Sequence, residues 1–206
     1  LLSLLMFMHL YTFVMLIALI IIGMISWVEF YALISKILLK KNPNEIFLRF
    51  LCKSFSLFYI SALIYLILMI ESDYGYLEVF LLYSILVSVL SDIGGLIFGK
   101  IFKGKKLSII SPNKTISGSI GSFISSLILV PLFFEYLMEF SIIKIILITL
   151  VISLTSQMGD IFFSYLKRKA KVKDTSDILP GHGGILDRID GMMFAIPVGI
   201  FLFTNL

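Results

Sequence analysis

The chain has 206 residues, of which 59% are hydrophobic and 15% charged, with a formal net charge of +4. Its mean hydropathy is +1.07, whereas soluble domains run at roughly 45–50% apolar and about 25% charged. That balance excludes a water-soluble fold, and the unbroken Leu/Ile/Phe runs exclude a closed barrel, whose strands alternate apolar and polar residues. The basic excess is read as a match to anionic lipid headgroups, so no nucleic-acid partner is expected.

In chain order, apolar runs and their breaks predict an all-α, polytopic transmembrane helix bundle of about six spans, near 5–28, 50–70, 77–98, 116–137, 142–165 and 190–206. The first run continues past Trp27 and Glu29 to Leu39, as a tilted extension or as an interfacial helix. Because the chain opens at Leu1 rather than methionine, an N-terminal piece is expected to be missing. The single cysteine, Cys52, has no internal disulfide partner and is read as filling space.

Charge tests this layout, because Lys and Arg mark cytoplasmic loops while acidic residues carry little topological weight. Lys36, Lys40, Lys41, Arg49 and Lys53 fall in the first loop, Lys100, Lys103, Lys105, Lys106 and Lys114 in the third, and Lys167, Arg168, Lys169, Lys171, Lys173 and Arg188 in the fifth. Only Lys144 falls on the other side, where Glu71, Asp73, Glu78, Glu135 and Glu139 lie. The alternation places loops one, three and five in the cytoplasm and both ends of the chain outside, unless a further span precedes Leu1.

Asp92 and Asp160 interrupt otherwise apolar spans, and burying a carboxylate in hydrocarbon is costly enough to make each a functional candidate. Each lies roughly 10–12 Å inside the cytoplasmic end of its helix at about 1.5 Å per residue. They are therefore expected at similar depth, where they could line one cavity. Ser88, Asp92, Gly95 and Gly99, and likewise Gly118, Gly121, Ser122 and Ser125, recur at helical spacing. Such small faces suit either a ligand or the close packing of helices. Gln157 and Ser164 make the Asp160 face polar.

The third loop ends in Ser111-Pro112-Asn113-Lys114-Thr115, with Gly118 following. Hydroxyls, a lysine and amides at a helix start suit an anion, and the same residues suit an ordinary turn and cap. The fifth loop is denser. Ser164 is followed by Lys167-Arg168, Lys173-Asp174, Pro180-Gly181-His182-Gly183-Gly184 and Asp187-Arg188-Ile189-Asp190. Glycines and proline imply tight turns and close backbone approach. Asp187 and Asp190, three apart, share a helix face. Their carboxylates suit a hard cation such as Mg²⁺, and the lysines and arginines suit phosphate oxygens. Cation and anion sites side by side are what metal-assisted phosphoryl chemistry requires. His182 has no second His or Cys at zinc-ligand spacing and is read as a hydrogen-bonding or phosphate-contacting residue.

The run from Ser164 to Asp190 closely resembles the motif of the phosphatidate cytidylyltransferases, also called CDP-diacylglycerol synthases, at every position and spacing. Gly159-Asp160, the Ser111-to-Gly118 segment and Ser91-Asp92 with Gly99-Lys100 resemble further elements of that family. The likeness covers about Ser91 to Pro197; departures fall at Ile93, Gly95, Leu96 and Phe163, the last standing where a glutamate is common. The chain thus divides into N-terminal membrane spans (1–90) and a catalytic membrane region (91–206) with cytoplasmic loops 99–115 and 166–190.

The resemblance implies condensation of CTP with phosphatidic acid to give CDP-diacylglycerol and pyrophosphate, in a multi-pass protein of the bacterial inner membrane. It implies Asp160 and Asp187 as Mg²⁺ ligands, with Asp190 and Asp92 supporting, and leaves a second cation and a homodimer open. Lys167, Arg168, Lys173, Asp174, His182 and Arg188 join the catalytic set. Ser111, Pro112, Lys114, Thr115, Gly118, Asp92, Ser164, Gly183 and Gly184 are expected to bind substrate. A CTP-dependent enzyme on another lipid, such as a polyprenol kinase or an ether-lipid cytidylyltransferase, is the nearest alternative. An ion-coupled transporter would explain Asp92 and Asp160 but not the glycine-rich motif. The CDP-alcohol phosphotransferases are excluded, because their Ala-Arg and second aspartate pair are missing.

Overall fold

The structure is a computed structural model that describes residues 12–39, 42–73, 75–107, 114–178, 181 and 183–206. The described residues form the helices α1 (Thr12–Ile37), α2 (Pro43–Asp73), α3 (Gly75–Phe102), α4 (Ile116–Leu127), α5 (Leu129–Phe133), a 3₁₀ turn (Phe134–Leu137), α6 (Ile142–Lys169) and α7 (Leu186–Asn205), with the loops between them. Five segments are long and apolar enough to cross a membrane: Phe13–Ile37, Pro43–Ile70, Leu77–Phe102, Ile116–Leu137 and Ile142–Lys169. Helix α7 is a sixth long helix, with Asp187, Arg188 and Asp190 in its first turns. This is the all-α, multi-pass architecture expected, with boundaries that differ in instructive ways.

The first helix does not stop near residue 28. No glycine or proline breaks the run between Trp27 and Ile37, so α1 carries Glu29 straight through. The second begins at Pro43 rather than near residue 50, a position where a missing N–H is harmless. Arg49 and Lys53 are therefore helical, not loop, residues, as are Lys36, Lys100, Lys167, Arg168, Lys169 and Arg188. Helices of 26 to 31 residues exceed the roughly 20 needed to span, which lets charged turns extend beyond the hydrocarbon. In the fourth span, Pro131 has no N–H for the carbonyl of Leu127, and the helix divides there into α4 and α5.

The chain forms two compact units, one from the described residues up to Met69 with Lys169–Asp187, the other from Ile70–Arg168 and Arg188–Leu206. In the first, α1 meets α2 at Gly23, where a side chain would run into Ile60 and Ile64. Lys53, 9% exposed, donates to Ser35 Oγ at 2.7 Å and lies 3.1 Å from the centre of the Tyr31 ring. Arg49 Nη1 donates to the carbonyl of Leu38 at 3.3 Å, closing the end of α1.

The second unit is stitched by hydroxyls. Tyr83 pairs with Thr149 at 2.6 Å, Ser88 with Ser156 at 2.7 Å and Ser91 with Ser153 at 2.8 Å, joining α3 to α6. Ser122 donates to the carbonyl of Ser91 at 2.7 Å. A Cβ on Gly95 would stand 2.8 Å from Ser122 Oγ, and one on Gly118 2.8 Å from the Gly95 carbonyl. The small faces of α3 and α4 are thus used for helix contact. An aromatic cluster of Phe80, Tyr83, Phe140 and Phe203 fills the far end of this unit, Phe80 stacking on Phe203 at 4.6 Å.

Candidate active site

The second unit brings three carboxylates within electrostatic reach of one another. Asp160 on α6 acts on both Asp92 of α3 and Asp190 of α7, and Asp92 acts on Asp190. Two lysines answer them. Lys114, immediately before α4, pairs with Asp160 and also acts on Asp92. Lys167 reaches Asp190 at 3.9 Å, with side chains only 12% and 8% exposed, so water screens this pair little. Helix contact sets this convergence, because Gly159 lets α6 approach α7 so closely that a Cβ there would lie 2.7 Å from the Asp190 carbonyl. On the same face of α6, Gln157 Oε1 accepts from Ser119 Oγ at 2.5 Å. Ser164 is half-buried one turn further on.

At the start of α4, Thr115 Oγ1 accepts from Gly118 N at 3.0 Å, an N-cap. Ile116 N donates to the Lys105 carbonyl and Ser119 N to the Thr115 carbonyl. Those amides are thus spent on the protein itself, and Lys114 is held by the pairing of Leu107 N with its own carbonyl at 2.8 Å. Ser111 and Pro112 lie outside the described residues, as does His182.

The fifth loop belongs to the first unit from Lys169 to Asp187. Gly181 and Gly183 have φ of +73° and +78°, the left-handed region that glycine enters without strain. Gly184 has no room for a side chain, because a Cβ would collide with Thr175 and Glu29. Asp187 Oδ2 accepts from Thr175 N at 2.8 Å, Thr175 Oγ1 at 2.9 Å and Gly184 N at 3.0 Å. Lys173, Asp174, Arg168 and Arg188 are exposed.

Sequence reasoning passed over Glu29. It is 2% exposed and accepts hydrogen bonds from Thr175, Ser176, Ile185 and Leu186. The rule that singled out Asp92 and Asp160, an acid within an apolar helix, applies to it equally.

The donor set suits a hard cation, since carboxylate oxygens are what Mg²⁺ takes. Among the described residues no three His, Cys, Asp or Glu side chains form a ready cage. Mg²⁺ commonly uses one or two carboxylates and completes its shell with water and substrate phosphate, so Asp160, with Asp92 and Asp190 nearby, fits that mode.

Fold and site together define a multi-helix membrane protein that sets carboxylates and lysines side by side. Residues 1–206 match the model of the Cytidylyltransferase family, and the chain belongs to that family. It is similar to the phosphatidate cytidylyltransferase of Staphylococcus haemolyticus (strain JCSC1435), 47% identical over 122 residues that make up 58% of this chain and 46% of that one. The proteins of the same name from Staphylococcus aureus (strain COL) and Staphylococcus epidermidis (strain ATCC 35984 / DSM 28319 / BCRC 17069 / CCUG 31568 / BM 3577 / RP62A) are 48% and 44% identical over the same shares. The matched region spans about half the length of these curated relatives.

Proposed function

We propose that the chain condenses CTP with phosphatidic acid to give CDP-diacylglycerol and pyrophosphate, working at the cytoplasmic face of a bacterial membrane. The observation that carries this reading is the cluster of Asp92, Asp160 and Asp190 with Lys114 and Lys167. The names of the relatives support the choice of substrates, and the Lys- and Arg-rich loops support the orientation.

A phosphate oxygen of the lipid attacks the α-phosphorus of CTP, and the bond to the β-phosphate breaks as pyrophosphate leaves. No general base is needed, because a phosphate monoester is largely ionised near neutral pH. What remains for the protein is positioning and charge neutralisation. Mg²⁺, when bound, would supply charge neutralisation on the phosphate oxygens, with Asp160 as its ligand and Asp92 and Asp190 supporting. The motif assigns Asp187 the same role; in the structure its Oδ2 is engaged by the loop. Lys114, exchanging its carboxylate partner for a phosphate, would hold the nucleotide, and exposed Arg168 and Arg188 would receive its triphosphate. Lys167 keeps Asp190 in place.

The test is incubation of purified protein in phosphatidate-containing micelles with labelled CTP and Mg²⁺. CDP-diacylglycerol and pyrophosphate should form in equal amounts. A folded sample that makes neither contradicts the proposal.

A further inference from the structure

Glu29 is a carboxylate in the apolar helix α1 that the reaction scheme leaves unused. Its Oε1 accepts from Ser176 Oγ at 2.5 Å and Ile185 N at 3.1 Å, and its Oε2 from Thr175 Oγ1 at 2.9 Å and Leu186 N at 2.8 Å. Leu186 opens α7, where the first amides have no intrahelical carbonyl to meet. Glu29 therefore acts as an N-terminal cap delivered from a different helix, and its negative charge is favourable at that end of the helix dipole.

Thr175 carries the contact onward. Its Oγ1 stands 2.9 Å from both Glu29 Oε2 and Asp187 Oδ2. A hydroxyl has one proton to donate, so Thr175 Oγ1 bonds one of these carboxylates at a time while backbone amides hold both, Leu186 N on Glu29 Oε2 and Gly184 N on Asp187 Oδ2. The backbone N–H of Thr175 holds Asp187 Oδ2 as well. The contact explains why position 184 is glycine, since any side chain there would displace Thr175 or Glu29.

We propose that Glu29 is a positioning residue for the reaction: through Thr175 and the first amides of α7 it holds Asp187, and the loop before it, in the working arrangement. The inference rests on the function proposed above. It extends the functional apparatus into the N-terminal helices, which carry none of the family motif.

Glu29→Gln tests it, because the amide keeps the size but turns one acceptor into a donor facing donors. A misplacement of about 1 Å can cost on the order of 10²-fold in rate. The variant should lose at least about tenfold in kcat, with the KM for CTP little changed, as expected for groups disturbed in the transition state rather than in binding. Hydrogen–deuterium exchange at Ile185 and Leu186, followed without substrate, should be faster than in the parent protein. Where Glu29→Gln does not fold, Ser176→Ala removes one donor and leaves α1 intact, and it should show the same two changes in weaker form. Unchanged exchange overturns the proposal, and so does unchanged kcat per folded molecule in the folded variant. A parent protein that forms no CDP-diacylglycerol refutes the function instead, while the exchange measurement still decides whether Glu29 holds the loop.

Discussion

In the unit containing α1, the carboxylates of Glu29 and Asp187 are surrounded by backbone amides and hydroxyls. In the other unit, Asp92, Asp160 and Asp190 face ammonium groups and one another, with Asp190 Oδ1 also accepting from Gly191 N at 2.8 Å. The difference separates two uses of one residue type. Fixed N–H and O–H donors hold a carboxylate in one place, and removing them leaves buried polar groups unpaired at about 1–3 kcal/mol each. A lysine on a flexible stem can be exchanged for a cation, or drawn away by a phosphate, without dismantling the fold. The first arrangement builds a loop; the second is available for chemistry.

Two substitutions sharpen this contrast through stability. Gly184→Ala adds one methyl group where Thr175 and Glu29 already stand, and overpacking of this kind costs about 1–3 kcal/mol. The thermal unfolding midpoint in detergent should fall measurably, and an unchanged midpoint would show that the loop is looser than its hydrogen bonds imply. Ser153→Ala removes the hydroxyl bonded to Ser91 across α3 and α6. Interhelical hydrogen bonds of membrane proteins average about 0.6 kcal/mol, so the same measurement should show a much smaller shift. A larger loss than at Gly184 would mean that the hydroxyl seam, rather than the clasp on Glu29, is the more demanding structure.

The spans were legible because hydrocarbon tolerates only segments whose backbone polar groups are satisfied internally, which forces long apolar runs. Asp92 and Asp160 were legible for the complementary reason, as charges that interrupt such runs. The start of α2 was not, because Arg49 and Lys53 look like loop residues until their partners are known. These are the Leu38 carbonyl, Ser35 and the Tyr31 ring. Glu29 was passed over although the rule that found Asp92 and Asp160 reaches it; what lay beyond any local pattern is what it holds, since its partners stand 146 to 157 residues away. The glycines of the fifth loop were read as marks of tight turns and close backbone approach; at Gly184 the close neighbours are Thr175 and Glu29 of the chain itself. Whether Lys114 and Thr115 meet an anion could not be settled by spacing, since the same residues make the cap on α4 and the pair with Asp160.

The central claim is that the carboxylates of the second unit take part in phosphoryl chemistry, and Asp160 is where it is most exposed to test. The measurement is the initial rate of CDP-diacylglycerol formation by Asp160→Asn and the parent protein across a Mg²⁺ titration. Asparagine preserves size and removes the charge. Loss of one well-placed electrostatic group can cost roughly 10²–10³ in rate, so the variant should be slower by at least that factor and require more Mg²⁺ for half-maximal activity. A variant with near-parental rate and an unchanged Mg²⁺ dependence would contradict the account.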